Sequence, residues 1–286
     1  MFRTETSRSV RRETGSFETT PPKATPIETT PYVEALLEEI RKHVDHDLPN
    51  YTDAFRAAFR RNDPVFIRAG YGEFFFHCAA NVPGWMQRTL LLNAQGEGEG
   101  AVGLARLARG VAFDAAVARQ VEEHARDEAR HSRMFANIAQ LAFPQGLAPE
   151  RMEAFAAALP DIRPILDAPA EKVCEGHLID NLVQMNIGEV RTRLHMHLFA
   201  PVVFHVAPEG SRDRVRGQLE ILAHDEMRHI GYTALLMENW ARSGDKNRIE
   251  ALYLGRLNTF NQLTITHTRH AVERYGQGRF PNLLEL

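Results

Sequence analysis

Two cysteines among 286 residues, Cys78 and Cys174, are too few for a disulfide framework, and a reducing, cytoplasmic setting fits them best. No apolar run approaches the ~18–20 residues that a membrane span needs, so no membrane contact is expected. A formal net charge of −3 leaves no basic footprint for nucleic acid. No flavin or iron–sulfur motif is present, and no low-complexity segment beyond residues 1–30. Those first residues have no apolar stretch. Glu5, Glu13, Glu18 and Glu28 there argue against a transit peptide, which is poor in acids. They read as a disordered, dispensable tail.

What the chain does have is apolar residues, 44% of the total, arranged at helical period. This length and pattern point to one all-α domain over 31–286. Tyr32 to His46 is amphipathic. Leu48-Pro49-Asn50 interrupts it before a short helix to about Arg61, and Asp63-Pro64 opens another segment through Phe74, Phe75 and Phe76 to Ala80. That aromatic cluster fits core or a pocket wall, core being commoner. Longer helices follow over about 84–109, 112–142, 171–204 and 211–241, where Ser211 can act as N-cap. The proline-bearing stretch 144–170, with one short helix near 149–159, reads as a connection across a bundle. A final helix over about 246–275 serves packing or oligomerisation.

The chemistry lies in a duplicated pentapeptide. Asp127-Glu128-Ala129-Arg130-His131 recurs as Asp225-Glu226-Met227-Arg228-His229. A Glu and a His three apart share a helix face, so both can address one point. Each pair lies on an apolar stripe: Val117, Val121, His124, Glu128, His131, Phe135 and Ile138 in one helix, and Val215, Leu219, Leu222, Glu226, His229, Thr233 and Leu236 in the other. The remaining two long helices each bear a single in-phase acid. Glu97 falls among Leu90, Ala94, Ala101, Leu104 and Ala108; Glu189 falls among Leu178, Leu182, Met185, Thr192, Met196 and Phe199. Glu99 lies off the stripe, as a solvated or supporting residue. Gly96, Gly98, Gly100 and Gly103 weaken that first long helix and suggest a close helix contact or a distortion.

Buried acids and imidazoles on apolar stripes are expensive unless something satisfies them, and a metal does so. Glu97, Glu128, His131, Glu189, Glu226 and His229 form the inward ligand set of a di-iron or di-manganese carboxylate bundle. Hard oxygen with imidazole nitrogen suits iron or manganese better than zinc. Ligand histidines hold their second N–H on a carboxylate. Asp127 is placed to serve His229, and Asp225 to serve His131, with Arg130 and Arg228 balancing the aspartates. His124 is open between a seventh ligand, a hydrogen-bonding group behind the ligands and a satisfied core histidine. The off-stripe Glu175, His177, His195 and His197 read as surface or capping residues.

The repeated Asp-Glu-x-Arg-His resembles the ferritin-like di-iron carboxylate oxygenases, which include hydrocarbon monooxygenases, acyl-carrier-protein desaturases and p-aminobenzoate N-oxygenases. The resemblance covers about 84–242. It implies a ferritin-like four-helix bundle with extra N-terminal helices and a C-terminal helix. It also implies the supporting roles of the aspartates and arginines, and a Thr beside the oxygen side, matched by Thr192. Where radical-bearing relatives place a Tyr this chain has Phe135, and where N-oxygenases carry a third His it has Leu222.

The resulting expectation is a di-iron enzyme, with manganese as the alternative metal. It would activate O2 and oxidise a small organic substrate by hydroxylation, N-oxygenation or desaturation. Met185, Met196, Phe135 and Phe199 would line an apolar pocket. Electrons would come from an external donor, a reductase or ferredoxin, and a homodimer is compatible. A ferroxidase or other iron-handling protein is the alternative, and a radical-generating subunit a third.

Overall fold

The computed structural model describes residues 29–275. The expected tail lies outside them apart from Thr29 and Thr30, which open the first helix. Every regular element among the described residues is helical: α1 (Thr29–Val44), α2 (Pro49–Asn62), α3 (Ala69–Asn81), α4 (Trp85–Gly110), α5 (Ala115–Ala142), α6 (Pro149–Ala157), α7 (Arg163–Asp167), α8 (Glu175–Val206), α9 (Arg212–Trp240) and α10 (Lys246–Tyr275). None is long and apolar enough to cross a membrane.

Local chemistry explains the boundaries. Gly84, at φ +71°, turns the chain into α4, a conformation open to glycine at little cost. Asp114 caps α5, its carboxylate accepting from the N–H groups of Ala116 and Val117 at 2.9 and 3.0 Å. Ser211 does not cap α9. Its one hydroxyl hydrogen is shared instead between the Leu141 and Pro208 carbonyls, at 3.0 and 2.9 Å, tying the α8–α9 connection to the end of α5. A turn over Ala241–Asp245, with Gly244 at φ +117°, reverses the chain into α10.

The acid-bearing helices α4, α5, α8 and α9 pack chiefly as two pairs, α4 on α5 and α8 on α9, joined through α5 and α9. The glycines of α4 cause no break. Gly98 meets a close approach, because a methyl there would sit 2.8 Å from the Pro160 ring and 3.1 Å from the Ser132 hydroxyl. Phe74 and Phe75 are buried against Trp85, whereas Phe76 is 45% exposed, so core and surface share one aromatic triplet. His195 departs from the surface role expected of it: it stacks on Tyr71, ring centroids 5.5 Å apart, and meets the Tyr71 hydroxyl at 3.1 Å. His177 and His197 are exposed, as is Glu175.

Two apolar clusters flank the middle of these helices. Leu90, Phe135, Phe199 and Leu222 pack in one, and Leu104, Val121, Leu178 and Leu182 in the other. Between them, along each helix, lies the segment that bears the acids. A third cluster joins α1, α2 and α10 to α8 and α9 through Tyr51, Phe55, Phe59 and Tyr253. The last helix thus packs within its own chain.

One polar hub fastens this outer layer. The Asn186 side-chain oxygen accepts from the Tyr51 and Tyr253 hydroxyls at 3.1 and 2.9 Å. Its amide donates to the Thr233 hydroxyl and the Ile230 carbonyl at 2.9 and 3.2 Å. Glu238, also buried, accepts from the Tyr51 N–H at 3.0 Å and so holds the start of α2. Removing one partner from a buried network strands the others, which costs about 1–3 kcal/mol per group. Asn186→Ala is expected to lower stability by about 3 kcal/mol, read as a reduced urea midpoint with an unchanged slope. A loss under about 0.5 kcal/mol, the level of an ordinary surface substitution, would remove the hub from this account.

Candidate metal centre

Helix periodicity delivers seven side chains to one buried place. Glu97 comes from α4, His124, Glu128 and His131 from α5, Glu189 from α8, and Glu226 and His229 from α9; none is more than 8% exposed. They fall into two groups. His124, Glu128, Glu189 and His229 each put a ligand atom within 4.8 Å of the others, and Glu97, His131 and Glu226 do the same. Glu128 lies between the groups, with its Oε1 3.4 Å from Nδ1 of both His131 and His229. Glu226 Oε1 lies 3.7 Å from His131 Nδ1, and Glu189 Oε2 lies 3.9 Å from His229 Nδ1.

These separations suit ions. Two donors each ~2.1 Å from one cation, at right angles or wider, stand roughly 3–4 Å apart. Hydrogen bonding within the protein leaves this space unsatisfied. Glu128 Oε1, both carboxylate oxygens of Glu226, His131 Nδ1 and His229 Nδ1 are buried without a hydrogen-bond partner among the described residues. Buried polar atoms are rarely orphaned, and five gathered across two adjoining groups are what a ligand site would leave. Four carboxylates would also neutralise two divalent cations. The residues present therefore fit a dinuclear site.

Behind the ligands, both motifs cross over. His131 Nε2 meets Asp225 at 3.1 Å, and His229 Nε2 meets Asp127 at 3.4 Å, leaving each Nδ1 facing inward. Arg130 contacts Asp127 at 2.7 Å and Asp225 at 2.5 Å; Arg228 contacts Asp225 at 3.2 Å and also pairs with Asp127. The four charges close a ring that ties α5 to α9. Burial would raise both aspartates, but the histidines and arginines outweigh it and hold both carboxyls well below their usual range.

Thr192 sits one turn beyond Glu189, half-buried. Glu99 points to solvent from α4. Phe135, Met196 and Phe199 pack at one end of the ligand set, while Met185 packs at the other, so the four do not share one pocket wall. Met196 also floors an open groove of about 600 Å3 between α8 and α9.

One participant was not visible in the sequence pattern. The Tyr232 hydroxyl lies 2.8 Å from His124 Nδ1, while His124 Nε2 lies 3.0 Å from Glu189 Oε1. Tyr232 stands one turn after His229, off the apolar stripe, and no motif marks it. Comparison with family models, curated proteins and solved structures finds no match for this chain.

Without ions the site must hold protons. Burial and the neighbouring Glu128 carboxylate push Glu97 well up, and burial with the Glu189 carboxylate does the same to Glu226. Burial opposes the charged form of His131, yet Asp225 and Glu128 outweigh it and raise the imidazole to about 9. An imidazole raised to about 9 is protonated near neutrality, and a cation bound at its Nδ1 would have to displace that proton. Metal uptake is therefore expected to release protons, and affinity should weaken as pH falls from about 8 to about 6. Titration of the metal-free protein in weak buffer with a pH electrode checks this; uptake without proton release would contradict it.

Proposed function

We propose that this chain is a dinuclear metal enzyme with a ferritin-like four-helix core, an O2-dependent oxidoreductase acting on a small organic substrate. The observation that carries the reading is the convergence of five orphaned ligand atoms between two ligand groups drawn from four helices. Two iron ions, or manganese in their place, fit Glu97, Glu128, His131, Glu189, Glu226 and His229 by donor type. When bound, such a metal pair supplies dioxygen activation and the oxidising equivalents.

The chain's own residues do the rest. Asp127 and Asp225 fix the tautomer of His229 and His131, holding the proton on Nε2 so that Nδ1 is free to ligate. Arg130 and Arg228 keep those aspartates ionised and in place. Phe135, Phe199 and Leu222 exclude water from one end of the site. Thr192, half-buried a turn from Glu189, matches the Thr that the resemblance places on the oxygen side. Hydroxylation, N-oxygenation and desaturation all fit this chemistry, and each needs electrons from a separate reductase or ferredoxin. The layer formed by α1, α2, α3 and α10 favours a substrate-binding enzyme over the ferroxidase alternative, which would need only α4, α5, α8 and α9.

Anaerobic titration with Fe(II) is expected to saturate at two ions per chain. Oxygen consumption by the reduced protein should then depend on an added organic substrate. Growth of a mineral core on iron loading would favour the iron-handling alternative, and saturation at one ion would overturn the dinuclear reading. Glu128→Ala and Glu226→Ala should each abolish tight binding of the pair and leave the far-ultraviolet helical signal intact. Full metal occupancy in both variants would contradict the assignment.

A further inference from the structure

His124 is turned the opposite way to the other two site imidazoles. His131 and His229 present Nδ1 to the centre and rest Nε2 on an aspartate. His124 presents Nε2, which lies 3.0 Å from Glu189 Oε1 and 3.5 Å from Glu128 Oε1, and rests Nδ1 on the Tyr232 hydroxyl at 2.8 Å. Its ring is wholly buried and stacks on His229 with centroids 3.7 Å apart, so both rings address the same group of carboxylates. Both His124 nitrogens have partners, as a buried imidazole requires, but its Nε2 faces two carboxylates at once and lies within 4.8 Å of ligand atoms of Glu128, Glu189 and His229.

We infer that His124 is a seventh ligand, positioned by Tyr232, and that it makes the two divalent-metal positions unequal. The inference rests on the dinuclear reading. One position takes two imidazoles, His124 and His229, together with Glu128 and Glu189. The other takes one imidazole, His131, together with Glu97 and Glu226. Neutral imidazole carries a single N–H. With Nε2 ligating, that hydrogen resides on Nδ1 and is donated to the Tyr232 oxygen, the role that the aspartates play for the other two rings. A position richer in nitrogen is the tighter one for late first-row ions, whose affinity for imidazole is high.

Co(II) alone is the probe, added to the metal-free full-length protein and followed by calorimetry and visible absorption. The wild type is expected to bind two ions with distinct affinities. His124→Gln should weaken one of them about tenfold or more, spare the other and alter the visible band. Tyr232→Phe should weaken the same ion by a smaller factor. Two ions bound by His124→Gln with wild-type affinities and spectrum would overturn the inference and leave the dinuclear reading standing. A wild type that takes fewer than two ions would overturn both. Should His124→Gln not fold, Tyr232→Phe decides: selective weakening of one ion supports the inference, and two unchanged affinities overturn it.

Discussion

The structure depends on the mutual repulsion of four buried carboxylates. Glu97, Glu128, Glu189 and Glu226 sit within one cluster, each almost fully withdrawn from water. At an effective dielectric constant near 20, two unit charges ~4 Å apart repel by about 4 kcal/mol, so the pairs among four such carboxylates repel by an amount comparable to the whole stability of an ordinary domain before desolvation is counted. They can share this space only if positive charge enters with them. Burial and the neighbouring carboxylates favour the protonated forms of Glu97 and Glu226, which relieves part of the repulsion, and two divalent ions would balance all four. The ring of Asp127, Asp225, Arg130 and Arg228 contributes no net charge. Its two arginines offset its two aspartates, so the balance at the centre closes on the ligands themselves.

The scaffold follows from that constraint. Helices that carry acids on their inner face gain nothing from packing at that level, so apolar contact is concentrated above and below it. Leu90, Phe135, Phe199 and Leu222 close one end, and Leu104, Val121, Leu178 and Leu182 the other. Polar ties then fix the rotation of the ligand helices. The Asp/Arg ring sets α5 against α9, and Asn186, one turn before Glu189, sets α8 against α9 while anchoring α2 and α10. A small rotation of any of these helices would carry a ligand out of reach, which explains why so much hydrogen bonding lies one turn from the centre.

Much of this was legible because the signal is local. The i, i+3 spacing in each pentapeptide, and a lone acid on each of two apolar stripes, depend only on helix geometry, and nine of the ten helices follow the same periodicity; the one-turn α7, inside the stretch read as a connection, was not expected. Features that depend on tertiary neighbours were not legible. Tyr232 meets His124 across 108 positions of sequence, and nothing in the spacing of either residue announces the other. His195 looked like a surface residue until Tyr71 covered it. Ser211 has the right side chain for a cap, but the nearby Leu141 carbonyl competes for its hydroxyl. Phe74, Phe75 and Phe76 cannot share one environment, since successive helix residues project about 100° apart. Sequence can name the triplet without saying which ring faces out.

The distribution of ligands between the two helix pairs gives the centre a structural role as well. Glu97, His124, Glu128 and His131 belong to the α4–α5 pair; Glu189, Glu226 and His229 belong to the α8–α9 pair. Each of the two ligand groups draws on both pairs. An ion in either position would therefore clamp the two halves together, and its binding free energy would add to folding through the native state alone. Without ions the halves remain joined through the Asp/Arg ring on one side and the apolar clusters at the ends. The metal-free chain thus presents a formed cluster, in which Asp127 and Asp225 already hold the rings of His229 and His131 with Nδ1 turned to the centre.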